Sequence, residues 1–459
     1  MRKILSIWLV LVLSVFGLGA ASVLPAQATS SRALPSWAKN ASIYEVNIRA
    51  YSSEGTFKAF QKHLPRLKKL GVKVLWFMPI HPISTTHRNG SLGSPYAVND
   101  YKAVNPDMGT DADFKALINA AHASGFKVIL DWVANHTGWD NVWMASHRDW
   151  YTQINGVIQP PNRDWLDVAD LNYSNANMRA AMIDAMKYWV TEFNVDGFRC
   201  DYANGVPTSF WEEASTQLQA IKPMFMLAES EGYPDELESA FNGNYAWNLL
   251  SQMNNLANSN APAAWYLGGT LDSLSSNYTN GTFPMTFITN HDQNSWNGTE
   301  YERLPGFVKR FSALYFTVPG MPLIYSGQEV GFNRRLQFFE KDEINWLSSS
   351  SMTSFYTKLI ALKTKNPALW NGSAGGPIVQ YDGTNDKVIT YSRRKGSSKV
   401  VVAINLSSTK AKTTIATGSS FKGSYFDYTN GSKVTVSKNS ITLSVPAGGF
   451  VIYSTAKAN

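Results

Sequence analysis

Asn194-Val195-Asp196-Gly197-Phe198-Arg199-Cys200-Asp201 is a short apolar run that carries an arginine and a carboxylate two positions apart. Side chains alternate along a strand, so Arg199 and Asp201 project from one face. Alone, such a couple reads as a structural ion pair, because charges taken out of water are normally paired. It does not stand alone. Phe225-Met226-Leu227-Ala228-Glu229 and Phe287-Ile288-Thr289-Asn290-His291-Asp292 are further apolar runs that end in an acid. The three read as buried strands, each with an acid at its end.

Outward from these runs, strand and helix alternate. Residues 42–47 read as a first strand, and Thr56 caps a helix with Phe57, Phe60, Leu64 and Leu67 at helical spacing. Residues 72–78 form a second strand. Asp111 then opens a helix presenting Phe114, Leu117, Ile118 and Ala121, closed by Gly125 and followed by a third strand over 126–130. Residues 137–172 break the pattern: they are rich in Trp, Asn, Asp and Pro without a sustained period, and read as an inserted subdomain. A stripe of Met178, Met182, Ala185, Met186, Trp189, Val190 and Phe193 restores the alternation. It continues with a helix over 209–221, a strand to 228, a weaker unit over 241–247, a strand to 289, a helix over 303–316, a strand over 321–325 and a helix over 355–365.

About eight strand-helix units suit either a doubly wound sheet or a closed barrel. Polar residues gathered after several strands favour the (β/α)8 TIM barrel, whose sites sit at the carboxyl ends of the strands. From about Gly375 five strand-like runs (387–393, 399–405, 423–428, 440–445, 449–454) alternate with Gly, Ser, Thr and Asn turns. The expected α/β organisation is a barrel over 35–136 and 173–371, an insert over 137–172 after strand 3, and an antiparallel β-sandwich over 375–459.

With 459 residues, 44% hydrophobic and 16% charged, the chain has the make-up of a folded protein with a large core. Arg2 and Lys3 precede an apolar run over 4–18, closed by Ala26-Gln27-Ala28, the layout of a secretory signal peptide cleaved after Ala28. That run is too short to span a bilayer comfortably. A secreted protein, free of the membrane after processing, is expected. Loss of residues 1–28 removes two basic and no acidic residues and leaves a net charge of +5. The excess is spread along the chain with no basic run, so no nucleic-acid partner is expected. The single cysteine, Cys200, excludes an intrachain disulfide. Beside Asp201 but on the other strand face, it reads as a small buried hydrophobe rather than a nucleophile.

Three acids at a barrel mouth could hold a divalent cation through oxygen ligands or cleave a glycosidic bond, one attacking and one donating a proton. Arg199 decides between them: it would weaken cation binding at Asp201 but keep a nucleophilic carboxylate ionised and oriented. The 15 Trp and 21 Tyr agree, since flat rings stack on sugar faces. Tyr96, Trp132, Trp139, Trp165 and Trp296 are placed in or beside the mouth loops.

At this point the chain resembles the α-amylase family, glycoside hydrolase family 13, over essentially everything from Ala41 onward. The resemblance rests on Asp131-Trp132-Val133-Ala134-Asn135-His136, Gly197-Phe198-Arg199-Cys200-Asp201, Ala228-Glu229, the run from Phe287 to Asp292, and Asp170-Leu171-Asn172. Gly93-Ser94-Pro95-Tyr96 and the run from Pro322 to Glu329 are also family-like. It implies a retaining hydrolase of α-glucosidic, α-1,4, bonds in starch-like glucans or maltooligosaccharides. Asp201 would be the nucleophile, Glu229 the acid and then base, and Asp292 a third acid fixing sugar hydroxyls. Arg199 would orient Asp201, His136 and His291 would bond hydroxyls, and Tyr96 would stack beneath the sugar. Asp131 reads equally as structural support, and Glu231 is a weaker rival to Glu229.

No cofactor is implied for the chemistry; Asn135 and Asp170 occupy positions that bind a structural calcium in some members, a set the sequence leaves incomplete. Where many starch-cleaving members carry Lys-His after the nucleophile, this chain has Asn204-Gly205. A glucanotransferase, an oligosaccharide-specific α-glucosidase or cyclomaltodextrinase-like enzyme, and a non-catalytic carbohydrate-binding protein of the same fold stay as alternatives.

Overall fold

The structure, a computed structural model, describes residues 34–346 and 351–457. The expected signal peptide lies outside the described residues. Eight parallel strands close into a barrel in chain order: β1 (Ile43–Val46), β2 (Val74–Phe77), β3 (Lys127–Val133), β4 (Gly197–Asp201), β5 (Phe225–Ala228), β6 (Gly243–Tyr245), β7 (Phe283–Thr286) and β8 (Met321–Tyr325). Closure comes at β1, where Ile43 pairs with Val74 on one side and Leu323 on the other. Strands covered on both faces have no polar face to show, which is why they read as continuous apolar runs. Gly197 starts β4 because a Cβ there would stand 2.0 Å from the Phe225 carbonyl oxygen.

Local chemistry sets the helix ends. Thr110 and Asp113 form a reciprocal capping box at the start of helix Asp111–Ala123, with Phe114, Leu117, Ile118 and Ala121 buried. Asn175 caps helix Ala176–Phe193, which ends at Asn194 in the left-handed region (φ 59°) and turns the chain into β4. The helix expected after Thr56 is two pieces, Phe57–Gln61 and Leu64–Leu70. Pro65 lies in the first turn of the second piece and offers no N–H to continue the first.

The seventh strand also differs from expectation. The ladder ends at Thr286, and residues 287–290 run on as a buried loop into a helical turn that begins at His291. Arg303 donates to the Ile288 carbonyl at 2.6 Å where a neighbouring strand would have done so. Apolar burial without a ladder produced the strand-like pattern.

The insert is built on two small ribbons, His136–Gly138 with Val168–Asp170, and Gln153–Ile154 with Val157–Ile158. The C-terminal domain contains β9 (Ile378–Gln380), β10 (Val388–Lys395), β11 (Ser398–Asn405), β12 (Ala411–Ala416), β13 (Gly423–Asp427), β14 (Lys433–Val436), β15 (Ser440–Val445) and β16 (Phe450–Ser454). One sheet runs β9-β10-β11-β16-β13-β14 and the other pairs β12 with β15. Buried Arg393 ties this domain to the barrel through backbone carbonyls, donating to Val318 and Gly376, each at 2.8 Å, and to Leu369 at 3.4 Å, while Lys363 on the barrel side of the seam donates to Gly320 at 2.6 Å and to the same Leu369 carbonyl.

Candidate active site

Asp201 is the last residue of β4, and Glu229 follows β5 directly. Cys200 pairs with Ala228, so the two acids are next neighbours across the ladder. The Glu229 N–H donates to the Cys200 carbonyl at 2.9 Å, and the Tyr202 N–H donates to Glu229 Oε2 at 2.9 Å. Asp292 arrives differently, at the head of the turn Gln293–Asn297 beyond β7.

Arg199, wholly buried, holds the floor. Its Nη1 lies 2.7 Å from Asp131 Oδ1 and 2.9 Å from Asp201 Oδ1, its Nη2 2.7 Å from Glu229 Oε1, and its Nε donates to the Tyr245 hydroxyl at 3.0 Å. A guanidinium keeps its charge, so this is a fixed cation under three acids. Burial raises all three and Arg199 opposes it: Asp131 and Asp201 are pushed up to about 6 and Glu229 to about 7, with Asp201 and Asp292 adding to the rise at Glu229.

A second group stands across from them. His291 Nδ1 lies 2.5 Å from Glu45 Oε1, and its Nε2 lies 2.8 Å from the Tyr96 hydroxyl and 3.3 Å from Asp292 Oδ2. Burial works against charge on this ring, but Asp292 and Glu45 outweigh it and raise His291 to about 9. His136 feels mainly burial and is pushed down to about 4. One imidazole is therefore a cation near neutral pH and the other is neutral.

These groups face a cavity of about 880 Å³ at the carboxyl ends of the strands, which Asp201, Glu229, Asp292, Tyr96, His136 and His291 line together. The Tyr96 ring is near-parallel to His291 (5.4 Å) and to Phe338 (6.1 Å). Arg199, expected among the substrate contacts, is not in the lining: its partners are the carboxylates and Tyr245 beneath it. Asp131 lies at the same depth, accepting from Arg199, Tyr96 and Trp76. Glu231 lines the cavity, but its carboxylate accepts from the Asn248 N–H at 2.6 Å. Cys200 is buried on the other face of β4, and burial pushes its thiol well up.

Of the rings expected at the mouth, Trp165 and Trp296 line the cavity with Tyr96, whereas Trp132 is core. It follows Asp131 in β3 and so points to the opposite face, against Tyr101 and Phe198. Trp139 instead packs on His87 and donates to the Leu166 carbonyl. Sequence reasoning passed over Tyr202, Tyr233, Trp247, Phe338 and Glu45. Glu45 had a signal, an acid inside the four-residue apolar strand β1; the rings had none, being aromatics among many, in loops or, for Trp247, at the start of a helix.

Tyr202 is unusual in conformation. It holds φ 42° and ψ 49°, where a bulky side chain is rare. Its ring packs edge-on against Trp165 at 5.2 Å and occupies the space over Gly205, where a Cβ would meet it at 2.4 Å. Asn204 donates to the Tyr233 hydroxyl at 3.2 Å. The Asn204-Gly205 departure therefore makes room for two aromatic walls on the Glu229 side of the cleft.

The family described as "Alpha amylase, catalytic domain" matches residues 36–376, and "Alpha amylase, C-terminal all-beta domain" matches 378–456. Among curated proteins the chain is 28% identical to Alpha-amylase MalA of Haloarcula japonica, covering 82% of this chain and 56% of that one. It is also 28% identical to a cyclomaltodextrin glucanotransferase of Niallia circulans, covering 84% and 60%. The chain thus spans little more than half the length of these two relatives. Among solved structures it superposes on the maltogenic alpha-amylase AmyB of Thermotoga neapolitana with TM-score 0.81 and 29% identity, covering 90% of this chain and 98% of that one. An alpha-amylase of Lactobacillus plantarum gives TM-score 0.79 and 29% identity, covering 91% and 99%.

Proposed function

The chain belongs to the α-amylase family, and on that premise we propose that it hydrolyses α-glucosidic bonds, α-1,4 first, in starch-like glucans or maltooligosaccharides with retention of configuration. One observation carries the reading. A single buried guanidinium holds Asp201 and Glu229 on adjacent nitrogens, while Glu229 keeps its proton to higher pH than Asp201.

Asp201, ionised first, attacks the anomeric carbon and forms a glycosyl ester as the bond to the leaving oxygen breaks. Glu229 gives its proton to that oxygen, then takes one from the water that hydrolyses the ester. Asp292, paired with cationic His291, holds hydroxyls of the distorted sugar and favours its developing positive charge. Tyr96 packs beneath that sugar, and neutral His136, whose Nδ1 accepts from the Asn135 amide at 3.2 Å, donates its Nε2–H to a hydroxyl. Arg199 keeps both carboxylates in place.

Proton NMR of the first product from an α-linked substrate tests the reading. The α-anomer is expected; initial release of the β-anomer sinks it.

A second reading, transfer to a sugar in place of water, is favoured by the exposed rings of Tyr202 and Tyr233 beside Glu229, where the leaving or accepting sugar must sit. Chromatography of products from maltooligosaccharides with and without added glucose separates the two. A calcium ion between Asn135 and Asp170 would find three side-chain oxygens there, half or less of the six to eight it takes, and no group of three His, Cys, Asp or Glu suited to a metal occurs among the described residues. No step is routed through one. Export belongs to the same proposal through residues 1–28, and fractionation of producing cells tests it.

A further inference from the structure

The C-terminal domain carries a charge that a neutral glucan cannot use. Residues 377–459 hold eleven Lys and Arg against three Asp, a net +8, whereas residues 29–376 hold 28 against 31, a net −3, so the positive excess is not spread along the chain as expected but lies wholly in this domain. None of the ion pairs among the described residues involves a cation beyond residue 376.

The sheet gathers six of these cations at one end. Arg394 and Lys395 close β10, Lys399 opens β11 directly opposite Arg394, Lys457 follows β16, Lys422 precedes β13 and Lys438 follows β14. These strands are consecutive neighbours in the sheet. At about 4.8 Å per strand they place a row of positive charge roughly 20 Å long. Adjacency is direct in places: Lys399 Nζ donates to the Lys422 carbonyl at 2.9 Å, and burial together with Arg394 lowers the Lys399 ammonium. All but the half-buried Lys399 are exposed. The three acids lie away from the row, Asp382 and Asp386 before β10 and Asp427 at the far end of β13.

We propose that this end of the sheet is a binding ridge for an extended phosphate polyanion, a chain of inorganic polyphosphate type. A linear row with a pitch near 5 Å suits a linear chain of charges. The ridge offers no apolar wedge for a bilayer, since Val379 on β9 is the one large hydrophobic exposed in the described part of this domain. It offers no open ring for base stacking either, because Lys457 covers Phe426 at 5.2 Å.

Anisotropy of labelled inorganic polyphosphate titrated with the full chain tests this. With about five phosphates neutralised, affinity should fall about tenfold for each doubling of salt. A Lys399→Gln/Lys422→Gln/Lys438→Gln variant should bind at least tenfold more weakly with a shallower salt slope, while Lys62→Gln/Lys68→Gln/Lys69→Gln on the barrel stays within twofold. Both variants should keep activity on a soluble maltooligosaccharide, which shows that they are folded. Equal weakening in the two variants would overturn the ridge. Tighter binding to an oligonucleotide or to anionic vesicles than to polyphosphate would overturn the ligand class.

Discussion

At Asp201 function and stability oppose one another. Its folded pKa is raised, so its contribution to stability is whole below an unfolded aspartate's pKa of about 3.9 and is lost as pH rises through about 6. Asp201→Asn should therefore lower turnover by at least about 10²–10⁴-fold yet melt no lower than the parent at pH 8, a comparison that calorimetry at pH 4 and pH 8 would make. Glu45 tests the other half of the site. His291 is raised above an unfolded histidine, so the stability it lends is whole below about 6.5 and lost as pH rises through about 9. Glu45→Gln removes one of the two acids that raise it, and the His291 ring should titrate at lower pH when followed by proton NMR. An unmoved His291 titration would assign Glu45 to packing alone. Cys200→Ala should cost about 1–2 kcal/mol through a small cavity and leave appreciable turnover, as urea unfolding and assays would show. The three acids were legible because a charge inside an apolar run demands a reason. Glu45 obeyed the same rule and was missed only because its histidine partner lies far away in sequence.

Among the elements, turns carry the information that periodicity lacks. The left-handed Asn194 that ends helix Ala176–Phe193 sets the entry into β4, and Asn194→Ala should cost about 1–2 kcal/mol while Asn194→Gly costs little. Equal unfolding midpoints for the two variants would remove that role. Tyr202 is the counterpart past the exit of β4: Tyr202→Ala keeps a Cβ in the same backbone but deletes a wall of the accepting site, so the ratio of transfer to hydrolysis should fall several-fold. Continuous burial made the barrel strands readable. The same burial misled at residues 287–290, where an arginine side chain replaces a ladder, and the short strands β9, β12 and β14 escaped notice because few of their residues are apolar on both sides. The basic row was invisible for a different reason. Its members come from five strand ends, and only antiparallel pairing makes neighbours of residues 394, 399, 422, 438 and 457.

For the molecule as a whole, Lys363 and Arg393 have no anion among their bonded partners; each is satisfied by carbonyls contributed by loops of the barrel. Burial, with Arg393 adding to it, holds the Lys363 ammonium well below its usual range. Lys363→Met should then take the donor from the Gly320 carbonyl, at about 1–3 kcal/mol, leave Leu369 with Arg393 Nη1 alone at 3.4 Å, and lower the melting temperature of both parts together in a single transition. Two separated transitions would show that the seam does not couple them. The same seam constrains inheritance. A hybrid that takes its C-terminal domain from a relative, joined at residue 377, would separate Arg393 from the Val318 and Gly376 carbonyls against which it is fitted. Such exchanges should give soluble protein only when the segments around residues 317–320 and 363–376 travel with the domain, so that the unit passed between lineages is larger than either fold taken alone.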